Sequence, residues 1–150
     1  MHQNWYEYPV QVQPHHTDYA GIVWHGSYIA WMEEARIAAL GSVGIEFADL
    51  IALGYDLPVI NLTLQYHRAT PMGAIALVKT RLAAVNRVRL HWEYIIQSSN
   101  AQETYITGSV TLVPVDRKQG RIIRKLPPIL KQALIKLAKN FNTNAVNPPP

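Results

Sequence analysis

The residues best suited to chemistry lie in one segment, 15–28, which holds one aspartate, three histidines and two glycines. Asp18 follows a strand-like pattern, and a helical pattern begins near His25. The first amides of a helix lack backbone partners and lie at the positive end of its dipole. A carbonyl oxygen directed at the amides of His25 and Gly26 would therefore be polarised as in an oxyanion hole, and a nearby carboxylate could attack its carbon or activate a water.

This combination of groups is sufficient for acyl transfer to water. A thioester suits it because a thiolate leaves readily and needs little help from an acid. Asp18 is therefore a candidate catalytic carboxylate, as nucleophile or general base, and the amides of His25 and Gly26 are candidates for polarising the carbonyl. Gly21 permits the tight backbone geometry between them. The structural alternative for Asp18 is an aspartate that only caps a turn.

Other reaction classes match this segment less well. The chain has no cysteine, which excludes disulfides, thiol nucleophiles and thiolate metal sites. His15, His16 and His25 with Asp18 do not match the spacing of the common zinc sites, so we predict no metal, and no cofactor is implied. Ser27 lies in a His-Gly-Ser-Tyr run, which lacks the Gly-x-Ser-x-Gly elbow of many serine hydrolases.

Strand and helix patterns flank the segment. Apolar side chains alternate from Tyr6 to Val12, as in a half-buried strand. From about Gly26 the apolar spacing becomes that of one helix face pressed against a sheet. The positions on this face are Tyr28, Trp31, Met32, Ala35 and Ala39. Glu33 and Arg36 lie three residues apart off this face, where we expect an ion pair in solvent.

Four further strands are predicted at about residues 62–67, 75–85, 90–96 and 106–112. The turns between them are short, which indicates an antiparallel meander. A single helix cannot cover both faces of such a sheet. We therefore predict an α+β fold, in which an antiparallel sheet of about five strands wraps around one long helix and a second helix follows near the C-terminus. The edge or face that remains uncovered should bind a second copy.

The run from Thr17 to His25, Thr-Asp-Tyr-Ala-Gly-Ile-Val-Trp-His, resembles the signature of the 4-hydroxybenzoyl-CoA thioesterase family. It also resembles the related bacterial acyl-CoA thioesterases associated with the Tol-Pal cluster. The likeness continues at residues 66–73 and covers about residues 5–125. It implies a hotdog fold, a homodimer or homotetramer, and hydrolysis of an aliphatic or aromatic acyl-CoA. It assigns catalysis to Asp18 and carbonyl polarisation to the backbone amide of His25.

The resemblance also implies sites for the rest of the substrate. Arg87 and Arg89 lie at the turn where the family places basic side chains near the CoA phosphates. Tyr28 either lines the acyl pocket or packs the helix. Glu34 is a minor candidate carboxylate, because other hotdog thioesterases place one on the central helix.

This chain departs from its apparent relatives at two positions in the segment. His16 stands where many of them have an aspartate, two residues before the catalytic one. Ser27 stands where many have an asparagine before the helix tyrosine. Either difference could reshape the acyl pocket.

Length and composition limit the domain organisation. A chain of 150 residues that is 49% apolar is expected to form one folded domain. We assign it to residues 1–126, an amphipathic helix to 127–139 and a disordered tail to 140–150. No apolar run is long enough to span a bilayer, and residues 1–5 lack the pattern of a signal peptide. We therefore expect a cytoplasmic protein without an integral membrane segment.

Charge is distributed unevenly along the chain. Residues 1–116 hold six Lys/Arg and all ten Asp/Glu, whereas residues 117–150 hold eight Lys/Arg and no acid. The basic character therefore belongs to the C-terminus and does not indicate a nucleic-acid partner. The helix at 127–139 either packs on its own domain or contacts an anionic lipid or an acidic carrier protein. The functional alternatives are an acyl-carrier-protein thioesterase, a hotdog dehydratase, and a non-catalytic acyl-binding or membrane-associated adaptor.

Overall fold

The computed structural model describes residues 5–141, and its main element is a five-stranded antiparallel sheet around a long helix. The strands are β1 (Tyr6–Gln11), β2 (Tyr55–Asp56), β3 (Val59–Tyr66), β4 (Ile75–Asn86), β5 (Arg89–Ser98), β6 (Thr104–Leu112), β7 (Val115–Asp116) and β8 (Arg121–Ile122). The helices are α1 (His25–Gly41), α2 (Phe47–Ala52) and α3 (Pro128–Asn140), and one 3-10 turn covers Pro14–His16. The predicted α+β architecture is confirmed.

The strand order of the large sheet is β1-β4-β5-β6-β3. The predicted meander is therefore correct only for β4, β5 and β6. Instead of pairing with β4, β3 pairs with β6 at the far edge, where Leu62 lies opposite Val110. Residues 67–74 consequently cross from one side of the sheet to the other, and their turn at Pro71–Gly73 is not a hairpin.

Helix α1 packs its apolar face against the concave side of the sheet. Trp31, Met32, Ala35 and Ala39 are at most 1% exposed. They share one core with the inward-facing side chains of the central strands. These include Val78, Leu82, Trp92, Tyr94, Ile96, Ile106 and Val110. The helical periodicity of the sequence therefore predicted this face correctly.

Arg36 corrects one expectation about α1. It is only 7% exposed, and its Nη1 donates a hydrogen bond of 3.0 Å to the hydroxyl of Tyr94 on β5. Within residues 5–141 it forms no ion pair with Glu33. Arg36 follows Ala35 on the buried side of the helix, so its guanidinium extends along the core and not into solvent.

The remaining elements are short. β2, β7 and β8 form a separate three-stranded sheet, which sequence patterns did not predict because strands of two residues show no periodicity. Helix α2 lies in the stretch that was expected only to connect α1 to the strands. No helix within residues 5–141 combines the length and apolar character that crossing a bilayer would require.

Helix α3 packs against α1 and β4 and belongs to the same core as the sheet. Its buried positions are Leu130, Ala133, Leu134, Leu137 and Ala138. The helix ends one residue beyond the predicted boundary, and the following residue, Phe141, is buried. The rest of the segment predicted to be a disordered tail, residues 142–150, lies outside the described residues.

Candidate active site

The segment before α1 folds into a tight hairpin that presents Asp18 at its tip. Thr17 and Val23 form an antiparallel bridge, and the Asp18 amide donates to the Ile22 carbonyl at 2.9 Å. The Gly21 amide donates back to the Asp18 carbonyl at 3.0 Å. Gly21 has φ 74°, a left-handed conformation that favours glycine. The tight backbone geometry expected at Gly21 is therefore present.

The segment that crosses the sheet between β3 and β4, residues 67–74, packs against this hairpin. Ile22 bridges to Pro71, the Val23 amide donates to the Thr70 carbonyl at 3.1 Å, and the Met72 amide donates to the Gly21 carbonyl at 3.2 Å. Because β3 lies beyond β6, the segment that connects β3 to β4 runs beside the candidate catalytic loop and supplies its backbone partners. Local sequence patterns contained no signal for this support.

The carboxylate of Asp18 is held by its own turn. Its Oδ1 accepts hydrogen bonds from the amides of Ala20, at 2.9 Å, and Ile22, at 3.3 Å. Its Oδ2 has no hydrogen-bond partner within residues 5–141, and the side chain is exposed. Oδ1 therefore caps the turn, as the structural alternative expected, while Oδ2 remains available to a substrate or a water.

Helix α1 begins without a side-chain cap. Its N-cap residue is Trp24, and the amides of His25 and Gly26 have no partner within the part of the chain that the structure describes. The His16 carbonyl accepts from the Trp24 amide at 3.1 Å and from the Ser27 hydroxyl at 2.9 Å. Two free donors at the positive end of the helix match the geometry that carbonyl polarisation needs.

The indole of Trp24 covers the first turn of α1. A β-carbon placed on Gly26 would overlap the indole carbons, so the ring fits there only because residue 26 has no side chain. Trp24 is nevertheless 46% exposed. Its ring also meets the imidazole of His25 edge-on, at 5.1 Å between centroids. An exposed aromatic side chain therefore borders the two free amides.

His16 is neutral beside this loop. Its Nδ1 accepts a hydrogen bond of 2.9 Å from the Gln13 amide, which leaves the ring proton on Nε2. Burial lowers the pKa of His16, His15 lowers it further, and Glu34 opposes the shift. The ring also packs edge-on against Trp31 at 5.0 Å. This chain thus places an uncharged, packed ring where many relatives were expected to carry an aspartate.

Glu34 lies near His16 and Tyr8 on the outer side of α1. Burial and then the negative charge of Glu34 raise the pKa of Tyr8. The sequence identified Glu34 as a candidate but gave no signal for Tyr8, because strand alternation marks it only as a half-buried position. The charge of Glu34 therefore acts on one strand side chain and on His16 near the Asp18 loop.

Tyr28 is buried, with 2% of its surface exposed. Its hydroxyl shares a hydrogen bond of 2.7 Å with the hydroxyl of Thr70, and burial raises its pKa. Tyr28 thereby ties α1 to the same crossing segment that supports the Asp18 hairpin. Its proposed contact with substrate stays a prediction.

Arg87 and Arg89 lie at the opposite end of the sheet from Asp18. Both are exposed at the turn between β4 and β5, where they line a surface cavity of about 360 Å³. The Asp18 hairpin adjoins residues 71–72, just before β4 begins, and Arg87 follows the end of this 12-residue strand. At about 3.3 Å per residue, the two sites are roughly 35 Å apart in one chain. A single protomer therefore does not bring them together.

The chain resembles known thioesterase-like proteins over most of its length. The sequence pattern of the thioesterase-like superfamily matches residues 12–136. A Synechocystis protein provisionally named esterase sll0410 is 47% identical over 135 residues, which are 90% of this chain and 81% of that protein. A Bacillus subtilis protein provisionally named acyl-CoA thioesterase YneP is 28% identical over 77% of this chain and 83% of its own length.

Solved structures show the same fold. The DHNA-CoA thioesterase from Staphylococcus aureus superposes with a TM-score of 0.83 and 26% identity, over 92% of this chain and 93% of that one. A second S. aureus protein, SAV2348, solved in complex with CoA, superposes with a TM-score of 0.83 at 15% identity, over 99% of this chain and 92% of that one. The predicted hotdog fold is confirmed.

Proposed function

Because the chain belongs to the thioesterase-like superfamily, we propose that it hydrolyses an acyl-CoA thioester to a free acid and CoA, with Asp18 as the acting carboxylate. The observation that carries this proposal is the pairing of a fixed carboxylate with a free Oδ2 and two unpartnered amides at the start of α1. Both lie on one continuous segment, residues 18–26.

The reaction follows from these groups. The thioester carbonyl oxygen accepts hydrogen bonds from the amides of His25 and Gly26, which stabilise the negative charge that develops on it. Asp18 either attacks the carbonyl carbon, giving an anhydride that water then cleaves, or removes a proton from the attacking water. The carbon–sulfur bond breaks, and the thiolate takes up the proton to give the thiol.

Binding of CoA requires more than one copy of the chain in this proposal. Arg87 and Arg89 lie too far from Asp18 to assist the same substrate from one protomer, whereas a second copy can bring its own pair to the site. Strand β3 offers a surface for such a copy, because it is an edge strand with exposed apolar side chains. These are Val59, Ile60, Leu62 and Tyr66. We propose a homodimer, or a tetramer built from dimers.

A panel of aliphatic and aromatic acyl-CoAs with thiol detection tests the proposal. Asp18→Asn keeps an oxygen that can accept from Ala20 and Ile22, so the turn should persist while the carboxylate is lost. We expect kcat to fall by about 10²- to 10⁴-fold, the usual contribution of a general base. Hydrolysis of none of the thioesters, or full activity of Asp18→Asn on the best one, would contradict the proposal.

Asp116→Asn is a matched control. Asp116 Oδ1 accepts from the amide two residues later, that of Lys118, at 2.8 Å, as Asp18 Oδ1 does from Ala20. Asp116 lies in β7, which belongs to the separate small sheet. Its substitution should leave turnover unchanged, which separates loss of a turn from loss of the acting group.

A further inference from the structure

A cavity outside the candidate active site lies between α1, α2 and the segment that leads into β3. Its volume is about 230 Å³, and six of the nine side chains that line it are apolar. Its walls include Ile37 and Leu40 of α1, Phe47 of α2 and Leu57 before β3. Apolar walls with a few polar groups are the usual composition of a small-molecule site. We call this space the α1–α2 cavity.

Arg36 is the main polar group of the α1–α2 cavity. It is the only charged residue among the buried residues of the described chain, 5–141. Its Nη1 donates to the Tyr94 hydroxyl, whereas its Nε and Nη2 have no hydrogen-bond or ion-pair partner within the same residues. Trp92 Nε1 is the only side-chain nitrogen or oxygen there that is both fully enclosed and without a hydrogen-bond partner. Nε and Nη2 of Arg36 are therefore not fully enclosed, and the cavity that Arg36 lines is the open space beside them.

The free edge of Arg36 has the geometry that binds a carboxylate. Nε–H and one Nη2–H of a guanidinium are parallel and match the two oxygens of a carboxylate. Arg81 uses the same edge in this chain, because its Nε and Nη2 lie 3.1 Å and 3.0 Å from Glu93 Oε2. A buried charge without a partner is costly, and a ligand of opposite charge removes that cost. Arg36 therefore favours a carboxylate, and the apolar walls favour a hydrocarbon chain attached to it.

Two acidic residues line the same cavity, and neither neutralises Arg36. Glu33 is exposed and forms no ion pair with Arg36 within residues 5–141. Asp56 is half-buried, and its Oδ1 accepts a hydrogen bond of 2.8 Å from the amide of Leu57. Both carboxylates oppose the entry of an anion, so binding depends on the two-point contact with the buried guanidinium.

The α1–α2 cavity is separate from the proposed thioester site. Arg36 follows Gly26 by ten residues on α1, which is about 15 Å along the helix axis. We propose that the α1–α2 cavity binds a small carboxylic acid in its ionised form, with the carboxylate on Nε and Nη2 of Arg36 and the hydrocarbon chain against the apolar walls. The inference does not rest on the proposed function, because binding needs neither Asp18 nor turnover.

Titrations with three compounds of equal chain length test the head group. Hexanoate, hexanol and hexylamine carry the same chain, and heteronuclear NMR reports contact through the Nε–H signal of Arg36. At neutral pH we expect hexanoate to shift this signal saturably and to bind at least about tenfold more tightly than hexanol or hexylamine. Equal binding of hexanoate and hexanol, or no saturable binding of hexanoate, overturns the inference.

The variant Arg36→Lys tests the contact itself. It keeps the positive charge and loses the planar edge, so we expect hexanoate to bind about tenfold more weakly. Arg81→Lys is the matched control. Arg81 lies between Thr80 and Leu82, which are both 0% exposed, so its side chain is on the outer face of the sheet, away from the cavity. It should leave hexanoate binding unchanged.

The variant Ile37→Trp tests the space and does not alter the bond from Arg36 to Tyr94. The larger side chain should fill the cavity and abolish hexanoate binding, and this test remains available if Arg36→Lys does not fold. Ile29→Trp is its control, because Ile29 and Ile37 lie on the same helix and are 36% and 38% exposed, whereas only Ile37 lines the cavity. Unchanged binding by Ile37→Trp contradicts the inference.

Two further variants separate this site from its alternatives. We expect Asp18→Asn to bind hexanoate as the wild type does, and Glu33→Gln to bind it more tightly because one opposing charge is lost. If hexanoate binds Glu33→Gln but not the wild type, Glu33 pairs with Arg36 in solution and the inference fails. If Asp18→Asn changes the affinity and Arg36→Lys does not, hexanoate occupies the proposed active site and the inference fails as well. A protein that binds hexanoate at Arg36 but cleaves no acyl-CoA contradicts the proposed function alone.

Discussion

The indole of Trp24 lies across the α-carbon of Gly26, where any side chain on residue 26 would displace it. The ring therefore borders the two free amides at the start of α1. Limiting access of water to such donors strengthens their interaction with a developing negative charge. Trp24 was not among the functional residues expected from the sequence, although its position in the motif is a signal that could have found it.

Substitution of Gly26 by alanine tests this arrangement. Alanine favours a helix over glycine by up to about 1 kcal/mol, so the fold should not weaken. The displaced indole should no longer border the amides, and we expect kcat to fall by about tenfold, less than the roughly 10²- to 10³-fold loss that follows removal of one oxyanion donor. The measurement is steady-state turnover together with tryptophan fluorescence.

Gly41→Ala is the control, because it places the same change at the other end of α1. A β-carbon there meets only Glu46 Oε1 at 3.7 Å, an ordinary contact. It should leave turnover and fluorescence unchanged. If Gly26→Ala also retains full activity, the indole has no part in the site.

The neutral state of His16 predicts a pH dependence of stability. Its pKa is lowered in the folded protein, so the unfolded chain binds more protons as pH falls through about 6.5, the ordinary value. Stability from this group is therefore fully present above that pH and is lost below it. Protonation at Nδ1 would also break the bond from the Gln13 amide.

The variant His16→Asn removes this titration while keeping an oxygen that can accept from Gln13. We expect the wild type to lose more thermal stability than the variant between pH 7 and pH 5. Thermal melts followed by circular dichroism measure the difference. Parallel pH profiles of the two proteins would show that His16 does not contribute.

The hydrogen bond from Arg36 to Tyr94 predicts that removal of the Tyr94 hydroxyl lowers the free energy of unfolding. Tyr94→Phe leaves the buried guanidinium without its partner, and hydrogen bonds to charged groups contribute about 1.5–3 kcal/mol. We expect the free energy of unfolding in urea to fall by about this amount. Tyr105→Phe is the control, since Tyr105 is also buried but its hydroxyl has no hydrogen-bond partner within residues 5–141. Equal stability of both variants would contradict the prediction.

Removal of Arg87 and Arg89 should affect only substrates that carry CoA phosphates. We expect Arg87→Ala/Arg89→Ala to raise KM for an acyl-CoA by about tenfold, because charge-assisted contacts to phosphate are lost. KM for the same acyl group on N-acetylcysteamine, which lacks the phosphates, should not change. Arg117→Ala, which removes an exposed arginine next to β7, is the control. An equal effect on both substrates would exclude phosphate binding at this turn.

Mixed oligomers test whether the two sites come from different copies. A chain with Asp18→Asn lacks the carboxylate of the proposed site, and a chain with Arg87→Ala/Arg89→Ala lacks the arginine pair. In a mixed dimer, one site would combine an intact Asp18 with an intact arginine pair. Co-expression should therefore restore turnover at low acyl-CoA concentration. Activity equal to the average of the two separate variants would show that each chain works alone.

The sequence predicted the parts of the fold that follow local periodicity. The apolar spacing of α1 and the alternation in β4, β5 and β6 identified these elements and their buried faces. The position of Asp18 between β1 and α1 followed from the same patterns. The site residues themselves remain predictions, because only activity measurements test their roles.

Contacts between residues far apart in the sequence could not be predicted from local periodicity. Pairing of β3 with β6 depends on the whole sheet and not on the turn that follows β3. Burial of Arg36 was missed because a charged side chain on a helix is most often solvated. Thr70 contributes through its bond to Tyr28 and its carbonyl, neither of which a local pattern reveals.

The crossing at residues 67–74 is joined to the Asp18 hairpin by backbone hydrogen bonds and to α1 by the Tyr28–Thr70 pair. We therefore expect the loop that holds the carboxylate to melt together with the core, because its supports are continuous with the core. Heat inactivation should coincide with global denaturation. A folded but inactive species should not accumulate during warming.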